Sequence, residues 1–345
     1  MNKKRKLMVA ISLLFCIVCS TAACGQSHTS ESVIKTQEDS TAEDSESTTA
    51  VTTSESVSDE SSSSEEAESS ENITTSADEQ YPLGSAAELS GNTVIVTIFA
   101  SDADYEWDFT SLDDQITREN AKRYIQIATD WIVEQATAYG KDVSFIYSYD
   151  DSSDLYYETT FSSSICKDEI GESCEDVWNY IDTDIPAIEE LETEYSADNV
   201  FYMLYYNTPV DFQITSNTRN HYDDMEYPYE YCSMYLHSYS IEENPASYAH
   251  EILHIFGAPD LYASYGSEDN YGITDEYVEY CATAHANEIM YNTYDEETGE
   301  PIYDSINNIL TDVTAYYIGW IDTLEEQETW NLLPSEHVST SESTR

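Results

Sequence analysis

Two hydrophobic rhythms alternate along the later part of the chain. Residues 93–99 (Thr-Val-Ile-Val-Thr-Ile-Phe) run β-branched and apolar without a break, which predicts a buried strand. Residues 143–147 and 199–206 (Asn-Val-Phe-Tyr-Met-Leu-Tyr-Tyr) predict a second and a third. Over residues 117–139 the rhythm changes. Ala121, Tyr124, Ile125, Ala128, Trp131 and Ile132 recur at the helical period and fall on one side. Residues 175–195 also read as helical, with an interruption at Pro186, and residues 211–215 and 231–237 predict shorter strands. A further helix is expected from Asn244, a good cap, with Pro245 in the first helical position. A last one is expected over 309–318. Neither an internal repeat nor a linker interrupts this stretch, so residues 81–345 are expected to form one α+β domain.

The first eighty residues follow neither rhythm. A basic head (Lys3, Lys4, Arg5, Lys6) precedes an apolar run over residues 7–19, and Ser20-Thr21-Ala22-Ala23-Cys24 follows. The run is shorter than the roughly 20 residues that cross a bilayer as a helix, so it reads as a secretory signal. Small residues before Cys24, with Gly25 after it, resemble the bacterial lipobox, with Thr21 where that pattern usually carries Leu. That resemblance implies a signal peptide over 1–23, and Cys24 diacylated as the mature N-terminus. The chain would then be exported and held by lipid on the extracellular face of a membrane. Residues 25–80 contain 25 Ser or Thr, 15 Asp or Glu, one base (Lys35), and no Phe, Trp or Tyr. Such a segment cannot bury enough apolar surface to offset its chain entropy. Residues 24–80 are therefore expected to be a disordered acidic spacer, with an end-to-end distance of about 40 Å.

Composition narrows the function. The 12 basic against 69 acidic side chains, a formal net charge of −57, exclude a nucleic-acid binder, which needs clustered Lys and Arg against phosphate. From Tyr81 onward 54 acidic and seven basic side chains leave −47, a field that favours cationic substrates at low salt. Asp150-Asp151-x-x-Asp154 and Asp223-Asp224 are candidate calcium ligands, although no EF-hand loop is present. With Cys16 and Cys19 in the signal and Cys24 lipidated, Cys166, Cys174, Cys232 and Cys281 remain. Export permits disulfides, and the expected pairing is Cys166–Cys174 and Cys232–Cys281, with reduced, buried thiols the alternative in an anaerobic habitat.

The chemistry concentrates in one place. Within the helix opened by Asn244 lies His250-Glu251-Ile252-Leu253-His254. Histidines at i and i+4 project from one helical face, so two imidazoles can grip one zinc ion, and Glu251 can reach water bound to that ion. Zinc lowers the pKa of such water, and the carboxylate can take its proton as it attacks a carbonyl. Tyr248, Ile252, Ile255 and Phe256 fall on another face and are expected in the core. Gly257 then permits a left-handed helix end, and Pro259 prevents continuation, so the chain can turn and bring Asp260 back as a third ligand. Other third ligands are His285, or Glu276 or Glu279 arriving from a later helix as in thermolysin-like enzymes. The Gly257 to Asp260 turn favours Asp260. His28, His221, His237 and His337 read as surface or packing residues.

His250-Glu251-x-x-His254-x-x-Gly257-x-x-Asp260 resembles the metzincin zinc-binding consensus, in the variant with Asp for the third His used by snapalysin-like enzymes. Gly257-Ala258-Pro259-Asp260-Leu261-Tyr262 is similar to immune-inhibitor-A-like peptidases. The resemblance implies a zincin fold: a twisted mixed sheet, an active-site helix, and a smaller C-terminal subdomain with a Met-containing turn. Glu288-Ile289-Met290-Tyr291-Asn292 matches that turn. It further implies an edge strand, at 211–215, along which an extended peptide pairs. In some metzincins a Tyr after the Met stabilises the oxyanion, but with thirty Tyr in the chain Tyr291 and Tyr294 read as incidental neighbours of the motif. The expected function is a zinc endopeptidase acting on protein or peptide substrates. Two rivals stand beside it: a non-catalytic surface binding protein using Tyr-rich loops, and a zinc hydrolase of a non-peptide amide.

Overall fold

Gly91–Ser101 forms β1, the spine of the molecule, and the elements after it follow in regular order. They are α1 (Leu112–Ala138), β2 (Val143–Ile146), β3 (Tyr156–Thr160), α2 (Glu172–Asp184), α3 (Ile188–Tyr195) and β4 (Asn199–Tyr206). Then come β5 (Asn217–Arg219), β6 (Tyr231–Tyr235), the hairpin strands β7 (His237–Ser238) and β8 (Ile241–Glu242), and α4 (Pro245–Ile255). The helices α5 (Asp275–Ala284), α6 (Asp312–Tyr317) and α7 (Glu325–Trp330) complete the order. This computed structural model describes residues 85–167, 172–219, 229–264 and 271–335, the side chains of 172–174 excepted. The signal segment, Cys24, the acidic spacer, His221 and Asp223-Asp224 lie outside the described residues. Among the described residues no helix is long and apolar enough to cross a membrane.

The main sheet is mixed, in the order β2-β1-β4-β6-β5. One edge of β1 pairs with β4 in parallel, from Thr93 opposite Asn199 to Ala100 opposite Tyr206. Its other edge is shared: β2 lies beside Gly91 to Val94, and β3 beside Thr97 to Ser101, both parallel. β6 continues in parallel beyond β4, and β5 closes that side antiparallel to β6. Parallel neighbours need crossovers that lie over the sheet faces, so both faces are covered and the central strands are apolar throughout.

Residue parity divides the core in two. Ile95, Phe99, Phe201, Met203, Tyr205, Cys232 and Met234 point to the face covered by α1 and α4. Val94, Val96, Ile98, Val200, Tyr202, Leu204, Tyr206, Tyr231 and Tyr235 point to the face covered by α2 and α3. Each face has a tryptophan tied to the strand region through its indole N–H. Trp107 donates to the Tyr205 carbonyl at 3.0 Å, and Trp178 to the Tyr229 carbonyl at 2.9 Å. Much of the tyrosine is core: Tyr202, Tyr205, Tyr206, Tyr248, Tyr277, Tyr316 and Tyr317 are fully buried.

The structure departs from the expected elements at four points. The edge strand is Asn217–Arg219, not 211–215. Phe212 is drawn into the core, edge-on to Tyr105 and Tyr235, and its N–H turns back to the Pro209 carbonyl, so pairing starts only beyond it. The helix expected over 309–318 begins at Asp312, because Ile309 is occupied in a bridge to Glu288. The Cys232–Cys281 disulfide is not formed: both thiols are free and buried. Cys232 lies on β6 against the Glu251 carbonyl and Thr218, whereas Cys281 lies on α5 against Tyr277. Cys166 is likewise a free buried thiol, so Cys166–Cys174 is not formed either, and the Cys174 side chain lies outside the described residues. Strand β3, the β7–β8 hairpin, α5 and α7 were not among the expected elements.

Candidate metal centre

Helix α4 is positioned by its ends. Asn244 accepts hydrogen bonds from the N–H groups of Ala246 and Ser247, and Pro245 occupies the first turn, where its missing N–H costs nothing. Tyr248, Ile252, Ile255 and Phe256 are all buried, as the helical period requires. Tyr248 meets Tyr124 and Tyr205, and Phe256 stands edge-on to Phe201. At the far end Gly257 takes φ +93°, a conformation L side chains rarely adopt, and the Ala258 N–H bonds back to the Leu253 carbonyl. The reversed chain is docked where the Leu261 N–H meets the Met290 carbonyl at 3.0 Å.

This reversal brings three donor atoms together. His250 Nε2 and His254 Nε2 lie 3.0 Å apart, and Asp260 Oδ1 lies 3.2 Å from each. Among the described residues these three form the one group whose ligand atoms converge closely enough to hold a metal ion. The opposite ring nitrogens are tied to backbone carbonyls: His250 Nδ1 to Ile289 O at 3.0 Å and His254 Nδ1 to Ala258 O at 2.7 Å. A carbonyl only accepts, so each Nδ1 holds a proton, and it is each Nε2 that is turned to the centre. Burial pushes the His254 imidazolium down, but the Asp260 charge and hydrogen bond outweigh it and raise His254 to about 9. Asp260 is held well below the usual carboxylate range by the two histidines, against the opposing effect of its burial. Positive charge is therefore stabilised at the point where the three atoms meet. The triangle fits a tetrahedral metal, which at bonds of about 2.0–2.1 Å spaces its ligands about 3.3 Å apart.

Glu251 is buried on the next helical position. Its Oε2 accepts from Thr218 Oγ1 at 2.9 Å, and Thr218 belongs to the edge strand β5. The Tyr262 ring stacks near the His250 ring, with centroids 6.1 Å apart. Met290 is fully buried in the core shared with α4. A second carboxylate, Glu243, is pushed up to about 7 by burial, against hydrogen bonds from Ser247 and Ser238; Glu251 pushes it the same way, and His250 opposes.

Other candidates lie elsewhere. His285 bonds to Glu326 at 3.0 Å, and Glu276 and Glu279 are exposed on α5. Asp150 accepts from Ser152, and Asp154 from the Tyr195 hydroxyl. His237 packs by the Thr208 carbonyl. Sequence reasoning missed Thr218, Tyr262, Glu243 and Glu288. Of these, Tyr262 and Glu288 lie in the two quoted motifs, which gave them no role of their own, and Thr218 and Glu243 carried no local signal. No protein-family model matches the chain, and no curated protein matches it.

Proposed function

We propose that this chain is a zinc-dependent endopeptidase of the metzincin type, exported and held at the outer face of a membrane by lipid on Cys24. The observation that carries the reading is the convergence of His250 Nε2, His254 Nε2 and Asp260 Oδ1, with both Nδ1 atoms fixed from behind. Two nitrogens and one oxygen suit zinc, and three protein ligands leave the fourth position of a catalytic site open. Zinc bound there supplies Lewis acidity and brings the pKa of water toward neutrality. Glu251 takes the proton of the attacking water. Thr218 holds Oε2, which orients the carboxylate so that Oε1 receives that proton. Among the described residues β5, at Asn217–Arg219, is the last strand on its side of the sheet, and an extended peptide would pair there. Met290, buried in the core it shares with α4 and next to the Ile289 carbonyl that meets His250, fits the Met-turn of that fold, and the region after it would be the smaller subdomain. The burial of so many tyrosines weighs against a binding surface made of Tyr-rich loops.

The test pairs metal content with cleavage of an unstructured protein, with and without a chelator. About one zinc per chain, and cleavage abolished by chelation, are expected. Glu251→Gln is expected to keep the metal and lose roughly 10²–10⁴-fold in turnover. Undiminished turnover in that variant removes Glu251 from the proton transfer. A chain that takes up no zinc when zinc is supplied ends the reading.

A further inference from the structure

Glu288 is a fully buried carboxylate, and among the described residues no lysine or arginine forms an ion pair with it. Burying a carboxylate without a cation is costly, and an apolar side chain of similar volume often serves stability better. What Glu288 holds explains its place. Its Oε2 accepts from the Met290 N–H at 2.5 Å, and its Oε1 accepts from Thr314 Oγ1 at 2.5 Å. A backbone N–H at Thr311 adds to these. The side chain therefore folds over its own turn and fastens it to the start of α6.

Ile289 sits between the two ends of that clamp. Its N–H is fixed on the Ile309 carbonyl at 2.9 Å, and its own carbonyl receives the Nδ1 proton of His250 at 3.0 Å. With the flanking Glu288 and Met290 both anchored, the peptide carrying that carbonyl has little freedom to rotate. We propose that Glu288 is a positioning residue for the metal centre, which by fixing the Ile289 carbonyl sets the tautomer and ring orientation of His250. Groups that orient a metal-binding imidazole through its second nitrogen change metal affinity without touching the metal. His254 is a built-in control, because its Nδ1 bonds to Ala258 O, on the helix-end reversal and not on the 288–290 turn.

The inference rests on the metal-centre reading but is tested apart from it. The ring nitrogens of the full-length chain, labelled with ¹⁵N and kept with chelator, are observed by NMR for the parent and for Glu288→Gln. Zinc affinity is measured on the same proteins by chelator competition. In Glu288→Gln, the hydrogen-bonded Nδ1–H signal of the His250 ring is expected to be lost, that of His254 to be kept, and zinc affinity to fall about tenfold. A folded Glu288→Gln chain with an unchanged His250 spectrum and unchanged affinity overturns the proposal. So does equal disturbance of both histidines, which marks general loosening. If Glu288→Gln does not fold, Thr314→Val, which removes one partner of the carboxylate, is read by the same two measurements, with the same contrast between the rings expected. If the parent binds no zinc, the metal reading fails, and the two ring spectra still decide the role of Glu288.

Discussion

Glu288 and Asp260 meet opposite fates on burial. Burial is the largest single influence on both: at Asp260 the two histidines together outweigh it and keep the charge, whereas at Glu288 it prevails and carries the carboxyl from an ordinary 4.5 up to about 7. Hydrogen bonds from Thr314, Met290 and Thr311 oppose that rise only in part. A raised value means that the folded chain binds this proton more tightly than the unfolded chain does. The stability it contributes is full below about 4.5 and lost as the pH rises through about 7. Denaturant midpoints of the parent, taken with chelator from acid to neutral pH, should therefore fall relative to those of Glu288→Gln; parallel curves would contradict this. At this scale the legible part of the site was the part that is local in sequence. His250, Glu251, His254 and Asp260 fall within eleven positions and obey one helical period and one turn. Thr218 reaches Glu251 across 33 positions and Ile289 reaches His250 across 39, so no window of sequence displays either contact.

Among the elements, α4 was the most legible because each of its determinants sits inside it or beside it: Asn244, Pro245, the apolar face and Gly257. Replacing Asn244 by Ala leaves the N–H groups of Ala246 and Ser247 without that acceptor and should cost about 1 kcal/mol. The check is a shift in denaturant midpoint with an unchanged slope, and an unshifted midpoint would show that the cap adds nothing. β1 and β4 were legible as unbroken apolar runs because both of their faces are buried. β5 was misplaced because the apolar pattern near Phe212 marks a side chain packed in the core, while the three residues that pair are Asn217, Thr218 and Arg219. β3 is Tyr-Tyr-Glu-Thr-Thr, with alternate burial along its length, and its place beside the second part of β1 is a tertiary fact.

At the scale of the whole molecule, strand order and mixed pairing come from contacts between distant segments, so composition and periodicity foretold an α+β class but not the order β2-β1-β4-β6-β5. Charge was legible throughout. With −47 from Tyr81 onward, the folded part repels itself, and added salt shortens the reach of that repulsion from about 30 Å at 0.01 M to about 8 Å at 0.15 M. Thermal midpoints with chelator should rise over that range, by about 2–4 °C for each kcal/mol gained. A flat response would show that the charges are spaced widely enough not to interact. The sheet that separates the two cores also separates the molecule optically. Of five tryptophans, Trp107, Trp131, Trp320 and Trp330 belong to the face of α1 and α4, and Trp178 to the face of α2 and α3. Residues 25–80 contain no Phe, Trp or Tyr and stay dark. Trp178→Phe would therefore leave a chain whose indole emission reports one layer, and the difference from the parent reports the other. Coincident melting of the two signals would make both layers one cooperative unit. Separate melting would make the sheet a seam, at which one layer lets go while the helix bearing His250 and His254 stays in place.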